Sequence, residues 1–182
     1  MKGTIFVELL NVIETAHGLD MIDALIDEAG DALSTDGAYT AVGNYPHSEL
    51  LALVGAASTL TKTSAENLLD TFAEHLMGVF ERMHPEFFER AADYLDFLES
   101  VQSHVHVEVL KLYPEAAPPN LVVERLSADS VSLHYHSHRP LAYFAEALAR
   151  QAARTFGTSA DVRTLSRSAD GRDAVIEVRV LE

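Results

Sequence analysis

The 182-residue sequence is 48% hydrophobic and 23% charged, which suits one compact domain or two closely packed subdomains and argues against a disordered chain. Its 28 Asp and Glu outnumber 13 Lys and Arg, for a formal net charge of -15, so most of the surface repels a phosphate backbone or an anionic membrane, and nucleic acid is not expected as a partner. The absence of cysteine excludes disulfides, thiolate-held metals and clusters, and thioether-attached cofactors, leaving His, carboxylate or Tyr for any metal chemistry.

No apolar run approaches the roughly 20 residues that span a bilayer, and the opening stretch is too polar for the apolar segment of a signal peptide. A cytoplasmic protein without membrane insertion is expected. From Lys2 to about Leu112 the pattern is helical. Ile5, Leu9, Val12, Ile13 and Ala16 share one face of a first helix that Gly18 ends. Further helices are predicted over Met21–Ala32, over His47–Leu60 after Pro46, and over Ala65–Phe80 with Ser64 as N-cap. The chain breaks around Pro85, then resumes as one long helix, about Phe88 to Leu112, that stops at Tyr113-Pro114.

After Pro118-Pro119 the period changes to two. Leu121 and Val123 alternate, Val131, Leu133, Tyr135 and Ser137 point together, and the turn formers 127–130 between them predict a hairpin. A helix from about Leu141 to Phe156 carries Leu141, Phe144, Ala145 and Leu148 on one face. Val162–Arg167 and Ala174–Leu181, joined across Asp170-Gly171, form a second hairpin. The expected class is therefore α+β: a helical front, with 1–60 as one part and 61–182 as the other, and a C-terminal four-stranded antiparallel sheet in β-β-α-β-β order.

Five of the nine histidines fall in two short stretches. On a helix, His104 and His106 lie about 200° apart and cannot chelate one metal. On a strand, His134, His136 and His138 share a face, a spacing compatible with a transition-metal patch but equally with a solvated edge. The apolar stripe Leu98, Val101, Val105, Val109, Leu112 does not distinguish His104 from His106.

Three features take on meaning together: Tyr113-Pro114, Pro118-Pro119, and the run Tyr135-His136-Ser137-His138-Arg139. With the opening Met1-Lys2-Gly3-Thr4-Ile5-Phe6, they resemble the haem nitric oxide/oxygen-binding (H-NOX) family, which includes the haem domain of soluble guanylate cyclase. The resemblance runs from Met1 to the last strand. It implies a haem b held between the helical part and the sheet part, with a Tyr-x-Ser-x-Arg motif, here Tyr135, Ser137 and Arg139, on the propionates. Alternate strand positions would bring two hydroxyls and a guanidinium to one anion, and Arg can bind a carboxylate bidentately.

In the family's register the axial ligand lies eight residues before the Pro of the Tyr-Pro pair and thirteen before the proline that packs on the haem. This implies His106 as the iron ligand, Pro119 as the packing residue and His104 as a surface residue. Phe97-Leu98 lies one residue out of that register. Oxygen-binding members place a distal Tyr where Phe144 stands here, and an aromatic where Leu9 stands, so the resemblance implies an apolar gas pocket with Ile5 also touching the haem. Ferrous NO is stable without a hydrogen-bond donor, whereas bound oxygen needs one. The cysteine-rich zinc site of many bacterial relatives is missing.

The implied activity is sensing of nitric oxide, with CO as a further ligand, by release of His106 from iron. No kinase, cyclase or methyl-accepting segment is present in these residues, so the expected output is a separate histidine kinase or cyclic-di-GMP enzyme. An oxygen sensor would need Tyr143, beside Phe144, to supply a donor. A peroxidase would need a distal His and Arg, and His17 and His75 are not placed by the sequence. A haem-free member of the fold would be expected to lack His106 or Arg139.

Overall fold

The computed structural model describes residues 1–181. Contacts divide the chain into two compact units, the first ending at Leu76 and the second starting at Met77.

The first unit contains α1 (Gly3–His17), α2 (Leu19–Ala29), a 3-10 turn (Gly30–Ala32) and α3 (His47–Thr61), followed by the start of α4 (Ala65–Met83). Helix α2 packs against both α1 and α3. Ser64 caps α4 as expected, its hydroxyl accepting from the Asn67 amide at 3.2 Å. The buried face of α1 is Gly3, Phe6, Leu9 and Ile13, with Ile5 and Val12 half-buried and Ala16 exposed. The face is thus rotated from the predicted one. The cause is Phe6, which stacks on Tyr39 with centroids 4.6 Å apart and meets the edge of Tyr45 at 5.5 Å. Both tyrosines come from the 33–46 loop, and such aromatic pairs gain more from burial than the small Ala16 could.

That loop is fixed at both ends. Lys2 bridges Asn44, the Gly3 amide donates to the Gly43 carbonyl at 2.8 Å, and the Thr4 amide donates to the Ala41 carbonyl at 3.1 Å. A Cβ on Gly3 would lie 1.8 Å from the Thr40 carbonyl oxygen, so the close approach explains the glycine in the opening motif. On the other side, Glu49 of α3 is buried and accepts from the Ser34 hydroxyl at 2.5 Å and the Tyr39 hydroxyl at 2.7 Å. Burial alone would raise its pKa. The hydrogen bonds outweigh it and hold the carboxyl below its ordinary 4.5.

In the second unit the predicted long helix is broken. Helix α5 (Pro85–Glu89) ends early, and α6 (Tyr94–Ser100) restarts after Asp93, whose carboxylate accepts from the Asp96 amide at 2.8 Å. An Asp in this position competes with helix continuation by capping a new one. A π-turn (Val101–Val105) follows, then α7 (His106–Leu112). The C-terminal part matches expectation: β1 (Asn120–Arg125), β2 (Ser130–His136), α8 (Ala142–Thr155), β3 (Ala160–Arg167) and β4 (Asp173–Val180). All neighbouring strands are antiparallel, in the order β1-β2-β4-β3.

The inner sheet face buries Val131, Leu133 and Tyr135 of β2 and Ala174, Ile176 and Val178 of β4. It forms one core with Tyr94, Leu95, Phe97 and Leu98 of α6 and with Ala142, Ala149, Ala152 and Ala153 of α8. The alanines let α8 approach closely, and the Tyr94 hydroxyl donates to the Ala149 carbonyl at 2.8 Å, joining α6 to α8. No helix is long and apolar enough to cross a membrane among the described residues.

Gly3→Ala is expected to destabilise the protein by about 1–3 kcal/mol, an overpacking cost, with a lower Tm measured by circular dichroism. For Glu49 the folded-state pKa is depressed, so its contribution is complete above pH 4.5 and is lost as pH falls through the lower folded value. Glu49→Gln should therefore flatten the acid limb of stability against pH below 4.5, measured by urea unfolding across a pH series.

Candidate haem site

His106 opens α7 immediately after the π-turn. A π-turn takes up one residue more than an α-turn without ending the helix. It lies between Leu98 of α6 and His106.

The His106 ring is held by Gln102, whose Oε1 lies 3.2 Å from Nδ1. The same Oε1 accepts from the Leu121 amide at 2.9 Å. That second bond fixes the amide's orientation, because only the oxygen can accept from a backbone N–H. His106 Nδ1 must then carry the proton, leaving Nε2 with a lone pair. Burial pushes the His106 pKa down, which favours the neutral, ligating form. Pro119 is half-buried, directly before β1, two residues from the amide that Gln102 holds.

His104 faces elsewhere. Its ring meets Phe87 edge-on at 5.7 Å, and Arg90 Nη1 approaches its Nε2 at 3.5 Å. It is half-buried rather than a plain surface residue, because α5 folds back as a separate element and brings Phe87 to it.

The period-two pattern of β2 buries Tyr135 and continues into buried Ser137, whose amide still pairs with the Arg172 carbonyl at 2.9 Å. The two hydroxyls shape the next turn. Tyr135 donates to the Arg139 carbonyl at 3.2 Å, and Ser137 Oγ accepts from the Arg139 amide at 3.1 Å. They hold the Arg139 backbone, while the guanidinium carries an unmet demand: its Nε is buried and has no hydrogen-bond partner among the described residues. Burial lowers the Arg139 pKa, yet arginine stays charged at any working pH. A buried, unsatisfied guanidinium N–H is costly and calls for an anion. A carboxylate-bearing porphyrin fits this donor set, with a neutral imidazole for iron and a guanidinium for a propionate.

The remaining expected residues lie on other elements. Ile5 and Leu9 are on α1, half-buried and buried respectively, and Phe144 is buried in the first turn of α8. The neighbouring Tyr143 is half-buried, with Arg150 Nη2 donating to its hydroxyl at 3.4 Å and the guanidinium 5.5 Å from its ring centroid. Arg150 is in turn paired with Glu146. His17 is exposed at the end of α1, and His75 Nε2 lies 2.6 Å from Glu8 Oε2.

His134 and His136 of the histidine patch meet other side chains. His136 pairs with Asp173 at 2.6 Å, and His134 lies 3.7 Å from Glu124 and 3.3 Å from the Ser132 hydroxyl. No group of three or more His, Asp or Glu among the described residues is placed to hold a metal. An open depression of about 420 Å³ covers this outer sheet face, lined by His134, His136, Arg167 and Asp173. Of the expected site residues it touches Tyr135 alone, so it is separate from the groups above.

Sequence reasoning missed Gln102. Its position four residues before His106 on a helix is the available signal, since i and i+4 side chains meet.

The sequence profile of the Haem-NO-binding family matches residues 2–164. No curated protein matches significantly. Among solved structures, the chain is similar to the Fe(II) unliganded H-NOX protein from K. algicida, at 35% identity and a TM-score of 0.93, covering 100% of this chain and 97% of that one. It is also similar to the IWP-051-bound H-NOX from Shewanella woodyi in the Fe(II)CO state, at 33% identity and a TM-score of 0.80, covering 98% and 94%. The H-NOX protein from S. oneidensis in the Fe(II)NO state, 22% identical with a TM-score of 0.89 over 100% of both chains, shares the fold. The chain belongs to the Haem-NO-binding (H-NOX) family, whose members are haem-binding gas sensors rather than enzymes.

Proposed function

We propose that the protein binds haem b through His106 and acts as a nitric oxide receptor that signals to a separate effector protein. The observation that carries this reading is the setting of His106: half-buried, with its pKa pushed down by burial, Nδ1 committed to Gln102 and Nε2 left with its lone pair. Arg139, turned into place by Tyr135 and Ser137, is the partner for a propionate. Pro119, Ile5, Leu9 and Phe144 are the apolar residues assigned to the porphyrin.

A bound haem would supply a ferrous iron able to take up NO, and His106 is the residue that would hold that iron and be released from it. His106 begins α7 at a π-turn, so a change in its position is passed to a short helix at an irregular joint rather than along a continuous rod. A separate histidine kinase or cyclic-di-GMP enzyme is the proposed recipient, and a ligand with different affinity for the two positions of α7 shifts their populations. Selectivity for NO over oxygen is supported by Phe144, whose side chain has no hydrogen-bond donor. CO, which also needs no donor, is expected to bind.

The test is the Soret spectrum of haem-loaded protein reduced under argon, then exposed to air, then to NO. Air should give oxidation or no change, and NO should give the spectrum of a nitrosyl haem lacking histidine. Native ligation should be lost in His106→Gly and kept in His104→Ala. A stable oxygen complex would replace this reading with oxygen binding, and the Tyr143→Phe variant would then show whether that phenol is the donor. Arg139→Leu should weaken haem retention about 10- to 100-fold, from the roughly 1.5–3 kcal/mol of a charge-assisted hydrogen bond. Its haem-free stability should not fall, since a buried Nε–H without a hydrogen-bond partner is removed. Haem transfer to apomyoglobin and urea unfolding measure the two quantities.

A further inference from the structure

Gln102 accepts two hydrogen bonds at one oxygen, from the ring of His106 on α7 and from the backbone of Leu121 in β1. It sits inside the π-turn, which itself lies against β1. Three parts of the second unit therefore meet at one carbonyl: the imidazole, the irregular helix joint, and the strand that begins immediately after Pro119.

We propose that Gln102 is a positioning residue for His106, tying the ring's orientation to the start of β1 and setting how firmly the imidazole can hold iron. The proposal rests on His106 being the iron ligand. The acceptor on Nδ1–H governs the basicity of Nε2, because a carboxylate acceptor draws the proton and enriches the ring, whereas a neutral amide does so weakly. With Gln102 as acceptor, His106 keeps a modest hold on iron, which suits a ligand that must leave. The shared oxygen also links the two ends of this arrangement. Rotation of the His106 ring away from Gln102 Oε1 leaves the Leu121 amide as that atom's remaining donor here, and a side-chain shift of Gln102 with the ring would strand a half-buried strand amide. Displacement of His106 is thereby felt at β1 and Pro119 as well as in α7.

The test compares Gln102→Glu, which keeps an acceptor for both donors but makes it charged, with Gln102→Leu, which removes it. In reduced haem-loaded protein the iron–histidine stretching band should rise in frequency in Gln102→Glu and fall or broaden in Gln102→Leu, by resonance Raman. The fraction of NO-treated protein that retains histidine ligation should increase several-fold in Gln102→Glu. In haem-free protein, amide exchange at Leu121 should accelerate on the order of 10-fold in Gln102→Leu and stay near wild type in Gln102→Glu. If both variants leave the band and the NO response as in wild type, Gln102 is a structural tie alone and the proposal falls, whatever happens at Leu121. Gln102→Glu decides the matter even if Gln102→Leu does not fold. A His106→Gly control separates the two readings: survival of the band in that variant would overturn the ligand assignment itself and the proposal with it.

Discussion

The inner face of the sheet must be buried, and that requirement sets the phase of everything after it on β2. Val131, Leu133 and Tyr135 face α6 and α8 in one core, and Ser137 is buried in the same phase, just ahead of the turn that carries Arg139. A slip of one residue would turn every one of them outward. The antiparallel pairing of β1 with β2 then fixes where β1 begins, with Asn120 opposite His136 and Leu121 opposite Tyr135. Leu121 in turn anchors Gln102, and Gln102 anchors His106. The orientation of the imidazole is thus connected by pairing and hydrogen bonds to the burial of an apolar sheet face.

Electrostatics divides along the same line. The surface carries the acidic excess, and several of its charges are paired locally, as Glu108 with Lys111 and Arg163 with Glu177. Such exposed pairs contribute little each. Two half-buried groups stand apart. His106 is held neutral by burial, and Arg139 is charged, buried at Nε and without a partner there. Together they fit a ligand that offers a metal to an imidazole and a carboxylate to a guanidinium.

Much of this was legible in the sequence, for identifiable reasons. Period-two patterning and the turn formers at 127–130 and 170–171 located both hairpins, and Ser64, Gly18 and Tyr113-Pro114 marked helix ends because capping chemistry is local. What failed was tertiary or cooperative. The face of α1 turned toward Phe6 because Tyr39 and Tyr45 arrive from a loop that periodicity does not describe. The break before α6 depends on Asp93 capping in competition with a helix whose apolar pattern continues through it. Glu49, in the first turn of α3, reads as an ordinary favourable charge near a helix N-terminus, and nothing local reveals that it is buried beneath Tyr39. The π-turn falls inside an apolar pattern, Leu98, Val101, Val105 and Val109, that reads as uninterrupted helix.

The most direct measurement is a crystal structure of the haem-loaded, reduced protein. The account requires His106 Nε2 on the iron, Nδ1 still on Gln102, and a propionate oxygen within hydrogen-bonding distance of Arg139 Nε. Iron bound by His104 or by another side chain, or a propionate that leaves Arg139 Nε unpartnered, would contradict it.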